Sequence, residues 1–275
     1  MRDTRDMLLV LLSSLLMLTG CSRRDILDDY PVSGVEISLD WNGVTNKLPE
    51  GVRVIFYPKN AEGRKIDTYL SVKGGKVKVP PGRYSVVVYN YDTETVQIRG
   101  EEAYETIEAF TGHCNGLGIA GTEQLVWGPD LLYVVRIDDL KIENSEEELQ
   151  LNWKPKLVVK TYSFKLKVQG LEYVSSIVGS IEGMSSCYDL GLGCGKAGDS
   201  PIYFAARGSA GEVTGSFTVF GTSEGVISRA GNAIKLTLAF VKTDNKVQKM
   251  EVDITEVIAN SESGGSGGDD DGDGA

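Results

Sequence analysis

Cys21 is the residue whose sequence setting points most directly to a chemical reaction. It follows Leu18-Thr19-Gly20, an apolar residue and two small ones, as in the lipobox of bacterial lipoproteins. Small residues let the backbone enter a peptidase groove, and the cysteine thiol becomes the thioether that carries a diacylglycerol. Met7–Leu18 is an almost wholly apolar run behind two arginines, and it is shorter than the ~20 residues that span a bilayer. We therefore expect a signal peptide that ends at Gly20 and acyl chains attached to Cys21.

The residues around this cysteine also indicate where the lipid anchor resides. Ser22 follows the cysteine, whereas an Asp at that position often signals retention at the inner membrane. Residues 21–33 contain a cluster of aspartates and resemble the charged tether that sends some lipoproteins to the cell surface. We expect residues 1–20 to be the signal peptide, 21–33 to be an acidic tether, and the mature protein to lie at the outer membrane, on the cell surface.

The residues that could act as a catalytic nucleophile or as zinc ligands do not have the sequence spacing that a catalytic triad or a zinc site requires. Ser223 lies in Gly-Thr-Ser-Glu-Gly, which matches the G-x-S-x-G nucleophile motif, but that motif joins a strand to a helix and its histidine follows in the chain. The single histidine, His113, precedes Ser223, and the flanks of the motif are typical of a hairpin. His113 and the three cysteines after Cys21 include no C-x-x-C pair of zinc ligands. We expect no enzymatic activity and no metal.

Glycine-rich and acidic motifs are equally weak. Residues 116–121 and 193–198 match G-x-G-x-x-G, but neither opens a helical pattern as a dinucleotide site requires, and a chain with 33 glycines produces such matches by chance. Residues 269–274 begin like a calcium loop and lack its final glutamate. We therefore expect no cofactor.

Cys187 and Cys194 could form a disulfide across a turn in an oxidising compartment. Cys114 makes the count odd, which is not the pattern of a disulfide framework. Two small buried thiols are the alternative.

The composition excludes one class of partner. The net charge is −11, and it is unchanged when residues 1–20 are removed, because that segment carries two positive and two negative charges. Such an acidic chain lacks the basic surface that nucleic-acid binding needs, so we expect no nucleic-acid partner.

The pattern of apolar residues predicts an all-β fold. Apolar and polar residues alternate in four segments, which is typical of strands with one buried face. These are Val35–Trp41, Tyr162–Val168, Ile234–Phe240 and Met250–Ile254. Tyr84–Tyr91 is apolar on both faces and predicts a central strand, whereas Leu171–Ile177 is the best candidate for a short helix. Many short strands with Gly-rich turns favour β-sandwiches.

A polar, charged stretch around Pro155 divides the chain into two runs of strands. We expect an N-terminal β-sandwich over residues 34–155 and a C-terminal β-sandwich over 156–259. Residues 260–275 are rich in Gly, Ser and Asp without an apolar anchor, and we expect them to be disordered.

Three segments carry a resemblance to a known family. Pro80–Asn90 (PPGRYSVVVYN) resembles Bacteroidetes fimbrillin-like lipoproteins, in which a strand ends in Pro-x-Gly-x-Tyr and the next strand ends in Tyr-Asn. Thr161–Gly191 is similar to the start of the C-terminal domain in the minor fimbrial anchoring-subunit family and in a related uncharacterised family of the same type V pilus clan. Trp127–Val134 (WGPDLLYV) also fits, and the matches follow the family's order along the chain.

This resemblance implies two tandem transthyretin-like (Ig-like Greek-key) β-sandwich domains and a non-enzymatic role. It implies a lipid-anchored subunit that anchors or initiates a type V pilus, or a related adhesin. Its partners would be fimbrillin stalk subunits, joined by adding a strand of one protomer to a groove of the next. The tail Asn260–Ala275 does not alternate apolar residues, so Val247–Ile258 is the better candidate for a donated strand.

A glycan-binding surface lipoprotein is the alternative, with a host molecule or a glycan as ligand. Trp41, Trp127 and Trp153 could form a platform on which a sugar stacks. Tryptophans in β-sandwiches also occupy cores and rims, so their presence alone leaves both interpretations open.

Overall fold

A computed structural model describes residues 33–60, 63–114, 124–145, 147–197, 200–221 and 233–263. Within them the all-β prediction is confirmed: strands dominate, with one 3-10 turn and one short helix. The strands of the first part of the chain are β1 (Ser33–Leu39), β2 (Gly51–Pro58), β3 (Ile66–Ser71), β4 (Gly74–Val79), β5 (Gly82–Asn90), β6 (Val96–Arg99), β7 (Glu108–Thr111), β8 (His113–Cys114), β9 (Leu125–Trp127), β10 (Tyr133–Ile142), β11 (Leu149–Trp153) and β12 (Lys156–Leu157). The later elements are β13 (Val159–Lys167), the 3-10 turn η1 (Leu171–Tyr173), β14 (Val174–Glu182), β15 (Ser185–Asp189), β16 (Cys194–Ala197), β17 (Ile202–Ser209), β18 (Glu212–Phe220), β19 (Lys235–Lys242), β20 (Val247–Asp253) and α1 (Thr255–Ser263).

The first sandwich is built from a single path of paired strands that folds over itself. The pairing order is β11-β1-β4-β3-β2-β5-β10-β12. β3 and β4 pair only at Ser71 and Gly74, so the path turns there from one layer (β11-β1-β4) to the other (β3-β2-β5-β10-β12). The first core lies between the layers, and the alternation predicted for Val35, Ile37 and Leu39 is confirmed, because all three are buried in it.

The second sandwich follows the order β13-β18-β17-β14-β19-β20, and β9 pairs with β17 in parallel. The second core includes the predicted inward residues of β19, and it also takes Ile258 from α1. Its largest side chains are Phe204, Phe217 and Phe240. The predicted fold class, two tandem β-sandwiches, is confirmed.

A four-stranded sheet, β16-β15-β7-β6, joins the two sandwiches. β6 and β7 come from before the predicted boundary, and β15 and β16 come from after it. This sheet covers the outer face of β2, β5 and β10, and the junction core fills the space between. Its buried members are Ile55, Tyr57, Val87, Tyr89, Val96, Ile107, Ala109, Leu132, Val134, Val158, Val159, Tyr188, Leu190 and Phe220. β5 is therefore buried on both faces, as predicted for a central strand.

The joining sheet also contains a buried ion cluster. Glu108 and Asp189 lie directly opposite each other across β7 and β15, and they are only 8% and 1% exposed. Lys196 Nζ lies 3.0 Å from Glu108 Oε2 and 2.9 Å from Asp189 Oδ2, and Arg99 also pairs with Glu108. Hydrogen bonds to Asp189 and Glu108 raise the pKa of Lys196 to about 12. Two facing carboxylates would repel each other, so Lys196 is the cation that makes this pairing tolerable.

Three details differ from the sequence-based expectations. Only Leu171–Tyr173 of the expected helix is helical, because Val174 begins β14, which pairs with β17 and β19. β12 pairs with β10 of the first sandwich at Lys156 and Leu157, so strand pairing changes from the first sandwich to the second at Val158. Residues 260–263 belong to α1 instead of a disordered tail, and residues 264–275 lie outside the described part. Among the described residues, no helix has the length and apolar character needed to cross a bilayer.

Candidate functional site: a groove between two strand edges

In the described part of the chain, two strands of the first sandwich each have one side that is wholly or largely unpaired. β10 pairs with β5 from Val134 to Ile142, whereas its other side meets β12 only at Tyr133 and Val134. β11 pairs with β1 alone among the described strands. We call the space between these two strands the β10–β11 groove. Backbone groups along an unpaired strand edge are a template for another strand.

The sides of the groove are apolar. Ile137 and Leu140 of β10 and Leu149 and Leu151 of β11 pack against the first core but stay half-buried. Each of these side chains therefore leaves apolar surface uncovered beside an unpaired backbone edge. A strand whose alternate residues are apolar would bury that surface at roughly 25 cal/mol per Å².

A cavity of about 850 Å3 occupies the end of the groove nearest the joining sheet. Its walls come from Tyr133–Ile137, from Asn152–Val158 and from the loop of residues 42–46. This volume lies within the usual range of protein binding cavities. The groove therefore widens where the two sandwiches meet.

Aromatic and polar contacts fix that wider end. The rings of Trp41 and Tyr133 meet edge to face with centroids 5.3 Å apart, and Trp41 Nε1 donates to Val72 O at 2.6 Å. Arg136 Nη1 donates to Leu192 O at 2.9 Å, which links β10 to the hairpin of β15 and β16. Hydrogen bonding between Arg136 and Asp138 raises the pKa of the first and lowers the pKa of the second, so both are charged. The groove thus has a preorganised end, which lowers the entropic cost of binding.

The predicted lipidation residue, Cys21, and the serine of the nucleophile motif, Ser223, lie outside the described residues. His113 is exposed on β8, where it pairs with Val126. Gly193 has a φ of +72° in the turn between β15 and β16, so this G-x-G-x-x-G match lies in a hairpin. Among the described residues, no group of three or more His, Cys, Asp or Glu side chains could hold a metal ion.

The possible disulfide between Cys187 and Cys194 is not formed, and both residues are free cysteines. Cys187 lies opposite Lys196, and Cys194 lies opposite Asp189, so the two cysteines are diagonal neighbours. Diagonal positions in an antiparallel pair are about 7–8 Å apart, which is beyond the usual span of a disulfide. Burial raises the pKa of the Cys187 thiol, which keeps it protonated.

The segment considered as a donated strand is already used within the chain. Val247–Asp253 forms β20, which pairs with β19 along its whole length, and Ile258 is buried in the second core. Releasing this segment would therefore break seven residue pairs and expose Ile258. β20 is an edge strand, however, and its outer side pairs with no other described strand.

The three tryptophans do not share one surface. Trp153 is buried in the first core, and Trp41 packs partly against the same core. Trp127 is 44% exposed on β9, where its ring meets that of Tyr203 with centroids 5.4 Å apart. The structure therefore gives no platform of stacked tryptophans.

Sequence reasoning did not locate the β10–β11 groove. The alternation of Leu149, Leu151 and Trp153 was a usable signal for a half-covered strand. Which of its sides remains unpaired depends on the fold, because β11 pairs with a strand more than 100 residues away in sequence.

Comparisons with known proteins place this fold among fimbrial and adhesin proteins. A crystal structure of a "putative adhesin" from Bacteroides ovatus is 60% identical, with a TM-score of 0.78, and the match covers 88% of this chain and 89% of that one. The fimbrial anchor protein Mfa2 from Porphyromonas gingivalis shares the fold, with a TM-score of 0.53 at 11% identity over 83% of each chain.

The sequence comparisons establish the family. The "Putative fimbrium anchoring subunit Fim4B" of Bacteroides ovatus is 62% identical over 281 residues, which span 98% of this chain and 84% of that protein. A family model described as a domain of unknown function, DUF5119, matches residues 20–205. The predicted resemblance to fimbrial anchoring subunits is confirmed, and the chain belongs to the DUF5119 family.

Proposed function

We propose that this protein is a lipid-anchored cell-surface subunit that anchors or initiates a fimbria and has no catalytic role. The observation that carries the proposal is the β10–β11 groove, which combines two unpaired strand edges with half-buried apolar side chains. The 62% sequence identity between this chain and a protein named as a fimbrium anchoring subunit supports the same role.

Strand addition is the mode of attachment that fits this groove. The incoming strand comes from a stalk subunit, and its backbone pairs with β10 or β11. Its apolar side chains cover Ile137, Leu140, Leu149 and Leu151, which gives the contact both affinity and register.

Photo-crosslinking in living cells tests this mode of attachment. p-Benzoylphenylalanine replaces Leu140 or Leu149 in the groove, and the matched control places it at Tyr173, an exposed residue of the second sandwich. We expect a crosslinked band containing the stalk subunit from the groove positions and none from Tyr173. Assembled fimbriae without any crosslink from either groove position would refute strand addition here, and a crosslink from Tyr173 instead would move the interface to the second sandwich.

Lipid on Cys21 is the proposed link to the outer membrane. The apolar run, the Gly20-Cys21 junction and the acidic tether support it. Cys21→Ala should abolish labelling by a radioactive fatty acid and release fimbriae into the medium, while Cys187→Ala should leave both unchanged. Labelling that persists in Cys21→Ala would show that the lipid lies elsewhere.

Deletion of the gene tests the anchoring role as a whole. We expect the stalk protein to disappear from the cell surface and to return when the gene is restored. Normal surface-bound fimbriae in the deletion strain would overturn the proposed function.

A further inference from the structure

A small cleft lies on the outer face of the first sandwich, beside the free edge of β6. It holds about 200 Å3 and does not overlap the β10–β11 groove. The residues that line it include Arg53, Tyr69, Tyr89, Tyr91 and Glu101. We call it the tyrosine cleft.

Two tyrosines at its rim expose aromatic surface. Tyr69 is 61% exposed and Tyr91 is 45% exposed, although both are large aromatic residues on a well-packed sandwich. Their ring centroids are 5.3 Å apart and the ring planes meet at 79°, so they form two sides of an open corner. Tyr91 is seated against Gly51, where an added Cβ would lie 2.7 Å from the Tyr91 hydroxyl oxygen. An aromatic face held open in this way suits the apolar C–H face of a sugar ring.

The floor of the cleft is rigid. Arg53 Nε and Nη2 donate to the Asp67 carboxylate at 2.9 and 2.7 Å, and Nη1 and Nη2 donate to the Glu101 carboxylate at 2.6 and 2.9 Å. Nη1 also donates to the Tyr89 hydroxyl at 2.7 Å. The guanidinium carbon lies 5.7 Å from the Tyr69 ring centroid and 5.9 Å from that of Tyr89. This doubly bidentate arrangement leaves little freedom to lose when a ligand binds.

The same floor offers hydrogen-bond acceptors to a ligand. Glu101 lines the cleft, and its side chain is 28% exposed. A carboxylate offers about four acceptor positions, and Arg53 occupies only part of them. Hydroxyl groups of a sugar are donors of the right kind for the positions that remain.

The charge around the cleft distinguishes between kinds of sugar. The Arg53 guanidinium at the cleft pairs with two carboxylates, those of Asp67 and Glu101, so this cluster carries a net negative charge. A uronic acid or another anionic sugar would be repelled, whereas a neutral sugar meets no such barrier.

We propose that the tyrosine cleft binds a neutral saccharide. This binding is independent of strand addition, and it would give the protein an adhesive function besides anchoring. A cleft of this size holds a single sugar ring, which favours the terminal residue of a chain or one unit of a repeating polysaccharide.

Affinity electrophoresis of the full chain tests the proposal. The native gels contain yeast mannan, galactan or hydroxyethylcellulose as neutral probes and polygalacturonate as the acidic probe. We expect at least one neutral polysaccharide to retard the protein and polygalacturonate to have no effect. Tyr69→Ala and Tyr91→Ala should each weaken that retardation about tenfold, the effect of losing one good aromatic contact.

Two controls keep the test specific. Tyr173→Ala removes an equally exposed tyrosine from the second sandwich and should retain full binding. Tyr69→Phe keeps the aromatic face and should also bind. Failure of all three neutral probes, retardation that survives Tyr69→Ala together with Tyr91→Ala, or stronger retardation by polygalacturonate would overturn the proposal without affecting the proposed anchoring role.

Discussion

β5 in the first sandwich and β13 in the second are strands of nine residues with very different surroundings. β5 has seven consecutive buried residues, because the first core covers one face and the joining sheet covers the other. β13 alternates between half-buried and exposed residues along most of its length. The difference shows that the burial of a strand's second face depends on the rest of the chain. Here both halves cover β5, with β6 and β7 from the first half and β15 and β16 from the second.

This comparison predicts where the protein is least tolerant of change. Phe220 ends β18 and is fully buried in the junction core, where its ring lies 6.4 Å from that of Tyr188. Phe220→Ala should lower the free energy of unfolding by about 3–5 kcal/mol, whereas Phe164→Ala on half-buried β13 should cost less. Urea denaturation followed by fluorescence measures both. A larger loss from Phe164→Ala would reverse the contrast between the two strands.

The next prediction concerns the ion cluster of the joining sheet. Lys196→Met leaves Glu108 and Asp189 buried and facing each other without their shared cation. We expect this substitution to lower the free energy of unfolding by about 2 kcal/mol. The loss is smaller than for a fully buried ion pair, because the Lys196 side chain is 44% exposed. Lys246→Met, which breaks an exposed pair with Asp244, is the matched control and should change stability by less than about 0.5 kcal/mol. Equal effects from the two variants would mean that the cluster does not hold the sandwiches together.

Glu108→Gln gives a smaller effect that depends on pH. Burial acts to raise the pKa of Glu108, but hydrogen bonds from Lys196 and Arg99 outweigh it and the pKa is lowered. A carboxylate with a depressed pKa stabilises the fold above its unfolded pKa of about 4.3, and that contribution is lost as the pH falls through the folded value.

The free energy of unfolding of the wild type should therefore exceed that of Glu108→Gln by about 1 kcal/mol at pH 7. This difference should disappear below about pH 4. Denaturation of both proteins between pH 3 and pH 7 measures the gap. A gap that widens on acidification would contradict the assigned direction of the shift.

The smallest predicted effect lies on the outer strand of the second sandwich. Val252 of β20 is 37% exposed and is not among the residues that pack against the second core. Val252→Thr keeps a β-branched side chain and should change the free energy of unfolding by less than about 0.5 kcal/mol. A thermal unfolding midpoint far below that of the wild type would show that β20 is covered in solution.

The sequence was informative wherever local pattern decides structure. The segment Tyr84–Tyr91, which is apolar on both faces, predicted a central strand, and alternation predicted β1 and β19. The helix predicted over Leu171–Ile177 was wrong, because the apolar residues of this segment have helical spacing over only one turn. From Val174 onward the chain pairs with β19, and from Ile177 onward it also pairs with β17. Tertiary pairing decides such short segments.

Other features had no local signal. Glu108 and Asp189 look like ordinary surface acids in sequence, since nothing nearby in the chain shows that they face each other across β7 and β15. Tyr69 and Tyr91 lie on β3 and just after β5, and only folding brings the two rings together. The β10–β11 groove is defined by strand edges that the other described strands leave wholly or largely unpaired, and a local residue pattern does not show which edge of a strand stays unpaired.

The joining sheet also determines the order in which parts of the chain can fold during synthesis. β7 has no partner on one side until β15 is made, about 80 residues later. During synthesis β6 and β7 follow soon after β5, but the part of the junction core that contains Tyr188 and Leu190 is absent until that hairpin is made. Pairings this distant in sequence slow folding and prolong exposure of apolar surface, so the nascent first half is the stage at which aggregation competes. A fragment that stops near Pro155 would contain β6 and β7 but lack β15 and β16, so part of the outer face of β2 and β5 would stay exposed.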